Sequence, residues 1–78
     1  MKLKHIGPNQ MELCIGKHVI LFSYETPVAV KIGDKFYRTE TIHSKTTTKH
    51  INQWLNGNPA SFLSQNWFDR GCGFLRNP

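Results

Sequence analysis

The sequence predicts an α+β fold: a small antiparallel sheet of three to five strands, wound as a meander and packed against one main α-helix. Two observations predict it. Over the first forty residues, short apolar segments alternate or run together between glycine, proline and acidic turn signals. A helical spacing then appears at Ile51, Trp54 and Leu55, which stand at i, i+3 and i+4. A chain of 78 residues has room for a single domain. The expected division is a β-rich part over 1–41, a helical part over 45–66 and a C-terminal loop or short strand over 67–78.

Each element has its own reason. "MKLKHI" can supply a first strand, ended by Gly7-Pro8. In "QMELCIG", Met11, Leu13 and Ile15 point one way while Glu12 and Cys14 point the other, the alternation of a half-buried strand. Gly16-Lys17 turns the chain into "HVILFSY", which is apolar on both faces from Val19 to Phe22 and so belongs in the middle of a sheet. "ETP" breaks the run, and Pro27, lacking an N–H, marks a strand start or edge. "VAVKI" follows, with Val28, Val30 and Ile32 on one face. Gly33-Asp34 is a hairpin signal, and "KFYRTE" places Phe36 and Tyr37 on opposite faces. Connections this short favour antiparallel neighbours.

The sheet's apolar face needs a cover, and the helix that begins near Thr46 to Thr48 is the candidate. Asn56-Gly57 stops it, with Pro59 just beyond. "NPASFLSQNWF" then reads as a short second helix: Asn58 caps it, Pro59 takes the first helical position, and Phe62 and Leu63 face inward. "DRGCGFLRNP" reads as a loop with a final short strand at Phe74-Leu75.

Composition narrows the function. Hydrophobic residues make up 38% of the chain, enough for one core and too many for a disordered tail. The formal charge is +5, which attracts phosphate backbones, acidic proteins or anionic membranes, or serves solubility alone. Cys14 and Cys72 are fewer cysteines than a small secreted domain usually carries. The N-terminus shows no apolar signal-peptide core, and no apolar run approaches the ~20 residues that span a bilayer. The expectation is a cytoplasmic protein with reduced thiols and no membrane partner.

The stretch "SKTTTKHINQWLNG" poses the main question. One hydroxyl suffices to cap a helix, yet Ser44, Thr46, Thr47 and Thr48 offer four. Lys45 and Lys49 could join threonine hydroxyls and free N–H groups at the helix start to hold phosphate, although no glycine-rich phosphate loop is present. His50 stands four residues before Trp54, where the two rings could stack, and reads as a partly buried structural histidine.

Lys31, Lys35, Tyr37 and Arg38 interleave charge with an aromatic ring, as a sheet face that stacks bases would, or as a solvated strand would. Trp67 and Phe68, beside Arg70, could anchor a protein interface. His5, Cys14, His18, His43, His50 and Cys72 form no CxxC or HxxxH pattern, so no metal or other cofactor is expected. Nor does any catalytic motif stand out, and a non-enzyme is expected.

Three pieces together are familiar: Ser23-Tyr24-Glu25-Thr26-Pro27-Val28-Ala29, then Tyr37-Arg38-Thr39, then Thr47-Thr48-Lys49-His50-Ile51-Asn52 with Trp54-Leu55. They resemble a family of small uncharacterised domains common in phage and environmental virus genomes. The resemblance covers about residues 20–57. It implies a phage protein acting in the host cytoplasm. Small phage proteins often bind nucleic acid, or block host defence complexes such as CRISPR effectors by docking on protein or guide-bound surfaces. The expected partner is therefore nucleic acid or a host nucleoprotein complex, with a host defence protein as the alternative. An uncovered edge strand leaves monomer and small homo-oligomer both open.

Overall fold

The computed structural model describes residues 2–70. Its sheet has six strands in sequence order: β1 (Lys2–Gly7), β2 (Gln10–Ile15), β3 (His18–Ser23), β4 (Thr26–Ile32), β5 (Lys35–Thr39) and β6 (Ser61–Leu63). Helix α1 (Lys45–Leu55) lies between β5 and β6 in the chain, and α2 (Gln65–Asp69) follows β6. The first five strands form the antiparallel meander that the turn signals predict. Gly16 and Gly33 take the left-handed conformation that their hairpin turns require. The sixth strand is a departure, since β6 runs parallel to β5 with Arg38 opposite Phe62 and Thr39 opposite Leu63. The fold is α+β, with a mixed sheet larger than three to five strands. A parallel return needs a crossover, and α1 supplies it.

The region after α1 corrects the expected second helix. Asn58 does not open a helix. Its side-chain Nδ2 donates to Leu55 O at 2.8 Å and closes the end of α1. Pro59 lies in the approach to β6. The cap of α2 is Ser64, whose side chain accepts from Trp67 N. Because 61–63 is a strand, Phe62 and Leu63 face opposite ways. Leu63 packs under α2, while Phe62 is 62% exposed. Thus the stretch 45–66 contains a strand, and α2 runs across the expected boundary at 66/67. The strand expected at Phe74-Leu75, like Cys72, lies outside the described residues.

Strand β1 at the edge is exposed, while the central strands are covered on both faces. On one, Leu21, Val28 and Ala29 pack against Ile51 and Leu55 of α1, with Phe36 and Trp54 at the margin. On the other, Ile20 and Val30 pack against Phe68 of α2, with Leu13, Tyr37 and Leu63 around them. Strand β3 feeds both cores, as its two apolar faces predict. A bulge in β4 explains one misassignment. Leu21 pairs with Ala29 and Phe22 with Pro27, which leaves Val28 as the extra residue. It joins Ala29 beneath α1, so Val28 and Val30 lie on opposite faces rather than together. Phe68 is 1% exposed and ties the five-residue α2 to the sheet; burying such a ring contributes about 2–3 kcal/mol. Among the described residues, no helix is long and apolar enough to cross a membrane.

Candidate functional site

The hydroxyl cluster at the start of α1 separates into an inner and an outer part. Ser44 is the N-cap, its Oγ accepting from Thr47 N at 3.1 Å. Thr47 is buried, and its own Oγ1 lies 3.2 Å from both Ser44 Oγ and Ser23 Oγ. Ser23 Oγ in turn lies 2.9 Å from Nδ1 of buried His50. Ser23, Thr47 and His50 thus form a buried polar chain between β3 and α1, and the exposed cap Ser44 joins it from outside. His50 is the buried structural histidine the sequence suggests, and the ring that stacks on it, at 5.9 Å, is Tyr24 rather than Trp54. Trp54 instead meets Phe36 edge-on and donates its Nε1–H to Glu12 Oε2 at 2.6 Å. Thr47 is therefore withdrawn from any phosphate site. Its hydroxyl is buried and committed to the core.

Lys45 and Lys49 point outward from the same turns. With Ile42, Ser44, Thr48, Asn52 and Gln53 they line an open groove of about 580 Å³. The first turn of α1 carries no acidic residue, so the positive end of the helix dipole is reinforced rather than neutralised. Asn52 leads from this groove to the next, where its Oδ1 accepts from Arg38 Nη1 at 3.2 Å. The Arg38 guanidinium lies 5.2 Å from the centre of the Phe62 ring, the geometry of a cation–π pair. Arg38 Nε is buried and has no hydrogen-bond partner among the described residues. Asn58 and Ala60 continue the path into a third groove, lined also by Asp34, Lys35, Phe36 and Tyr37. Along this path Lys45, Lys49, Arg38 and Lys35 are opposed by one acid, Asp34. Unpaired positive potential over a concave surface attracts anions.

Four other sequence candidates are placed differently. Lys31 pairs with Phe36 in the β4–β5 ladder and holds its Nζ 5.6 Å from that ring, on the α1 side of the sheet. Tyr37 pairs with Val30 and packs into the α2 core. Lys31 and Tyr37 therefore stand on opposite faces and do not share a base-stacking surface, whereas Lys35 and the partly buried Tyr37 both line the third groove. Trp67 is half-buried against that second core, edge-on to Phe68 at 5.1 Å. Phe68 is fully buried and offers no anchor, while Trp67 keeps part of its ring exposed. Arg70 is exposed at the end of α2, away from the groove linings.

Among the groove residues that the sequence does not mark as a site, Phe62, Asn52 and Ile42 matter most. At helical spacing "SFL" turns Phe62 inward. Read as a strand it alternates, which turns one of Phe62 and Leu63 outward. Asn52 falls three residues after Lys49, one turn along the same helix face. Ile42, 87% exposed between β5 and α1, carried no periodic signal. Among the described residues, no group of three or more His, Cys, Asp or Glu side chains comes together to hold a metal.

Residues 1–70 match a family of unknown function, DUF8033, and the chain belongs to that family. No curated protein and no solved structure matches it.

Proposed function

We propose that this protein is a non-enzymatic binding module that engages nucleic acid, free or within a nucleoprotein complex, through the groove face of α1, β5 and β6. The observation that carries this reading is the exposed Phe62 ring paired with the half-buried Arg38, set between Lys45 and Lys49 on one side and Lys35 on the other. Cations neutralise phosphates, and an aromatic ring contacts bases without needing a particular sequence. The excess of basic over acidic side chains in the grooves supplies the long-range attraction. If the complex is a host one, as the phage resemblance implies, the same face would dock on its exposed nucleic acid.

The test is a salt titration of binding to mixed-sequence DNA and RNA, followed by fluorescence anisotropy. Micromolar or tighter binding at low salt is expected, with log affinity falling linearly in log salt at a slope of about −2 to −3, as three or four phosphate contacts require. No binding at low salt removes the reading.

One observation favours a second reading. Ile42 stands beside the same groove, and an exposed aliphatic side chain there suits a protein partner, such as a host defence complex. Under that reading Ile42→Asp would abolish capture of the complex and moderate salt would not. The anchors would then be Ile42 and Phe62 instead of Trp67, Phe68 and Arg70.

A further inference from the structure

We infer that the groove face takes a single strand rather than a duplex, with one unstacked base lying on the outer face of Phe62. This rests on the nucleic-acid reading above and specifies its substrate. The phenyl ring has no polar atom, so it can neither read a base edge nor hold a phosphate. What it offers is a flat π-face. One side of that face is taken by the Arg38 guanidinium, yet the residue remains 62% exposed. The platform is also held in place. Asn52 fixes Arg38 through its Nη1, and the paired strand β5 fixes the backbone of Phe62. A ring that is already ordered loses little entropy when a base settles on it.

The choice of a single strand follows from what each form of nucleic acid exposes. A duplex keeps its bases stacked on one another and shows a protein only their edges and the phosphates. It would leave Phe62 in water and its open face unused. A single strand has bases free to turn outward. Phe62 is the middle residue of a three-residue edge strand, so the ring stands at the rim of the sheet, where a strand can cross it. Cations flank the ring along the grooves in both directions, with Lys49 and Lys45 beyond Asn52, and Lys35 beyond Asn58 and Ala60. Phosphates on either side of the stacked base would each meet a positive charge.

The experiment compares three fluorescent probes of equal length, about 12 nucleotides: single-stranded oligothymidine, a duplex, and an abasic deoxyribose-phosphate strand. Each is titrated with the unaltered protein, Phe62→Ala, Phe62→Trp and Lys49→Glu, with circular dichroism confirming that every variant folds. The single strand is expected to bind at least about tenfold more tightly than the duplex or the abasic strand. Phe62→Ala should weaken thymidine binding about 10- to 100-fold with an unchanged salt slope, because no phosphate contact is lost. Phe62→Trp should retain it. Equal binding of all three probes, with no effect of Phe62→Ala but a loss on Lys49→Glu, overturns the stacking inference and leaves the nucleic-acid reading standing. An effect of Phe62→Ala as large on the abasic strand as on thymidine also overturns it. If no probe binds at low salt, both readings fall.

Discussion

Thr47 and His50, on the inner side of α1, are 5% and 7% exposed, whereas Lys45 and Lys49 stand in solvent one or two residues away. The two sides differ in what their polar atoms do. Inside, Thr47, Ser23 and His50 satisfy one another across the gap between helix and sheet, with the exposed cap Ser44 joined to Thr47. Outside, the lysines face a groove with a single opposing acid along its whole run. Side chains of similar polarity thus serve opposite ends. Buried hydrogen bonds position α1 on β3, and exposed charges remain available to a ligand. The four hydroxyls that seemed too many for a cap are explained in part by this division, since Ser44 caps and Thr47 ties the cap to the core.

The comparison breaks most visibly at His50. His50→Ala should cost about 2–4 kcal/mol, since it opens a cavity under Tyr24 and strips Ser23 Oγ of a partner. Chemical denaturation followed by circular dichroism reads this directly. Any fraction that remains folded should bind nucleic acid as before, and a binding loss without a stability loss would assign the inner side to function.

The outer side makes the converse prediction. Lys45→Glu with Lys49→Glu should lower affinity about 10- to 100-fold at low salt and flatten the salt slope by about 1 to 2. Stability should hold or rise by ~0.3–1 kcal/mol, because the helix N-terminus favours negative charge. A marked drop in melting temperature would mean that the lysines serve the fold.

Smaller effects sharpen the inner network. Ser23→Ala and Thr47→Val should each cost about 1 kcal/mol, and in a double-mutant cycle they should couple by about 0.5 kcal/mol or more. Strict additivity would show that the two hydroxyls do not act together. Ser44→Ala should cost about 1 kcal/mol and Ser44→Gly only a few tenths, the pattern of an N-cap. Smallest of all, Asn52→Ala should leave stability within about 0.5 kcal/mol while weakening single-strand binding a few-fold, by freeing Arg38 from its 3.2 Å hydrogen bond. Equal affinity in that variant would show that the platform needs no such support.

Much of this arrangement is legible in the residues. A two-residue turn at Gly33-Asp34 pairs Ile32 with Lys35 and Lys31 with Phe36, which already puts Lys31 and Tyr37 on opposite faces. Thr47 and His50 extend the apolar stripe of Ile51, Trp54 and Leu55 one turn backward, at the right spacing for the buried face. Polarity concealed them, because a hydropathy pattern cannot show that a hydroxyl and an imidazole have found partners on another strand.

What the sequence determined by itself is local: five strand segments, their turns, a hydroxyl-capped helix start expected near Thr46 to Thr48 and found at Lys45, and the left-handed stop at Asn56-Gly57. These follow from backbone geometry and hydrogen bonding within a few residues, so neighbouring side chains encode them. Tertiary structure decided the Val28 bulge, the parallel return of β6, the burial of Thr47 and His50, and the meeting of Arg38 with Phe62. Each of these joins strands, or strand and helix, that a turn or a longer stretch of chain separates. Which partner wins there depends on how α1 and the sheet share their surfaces, a competition that no local window contains.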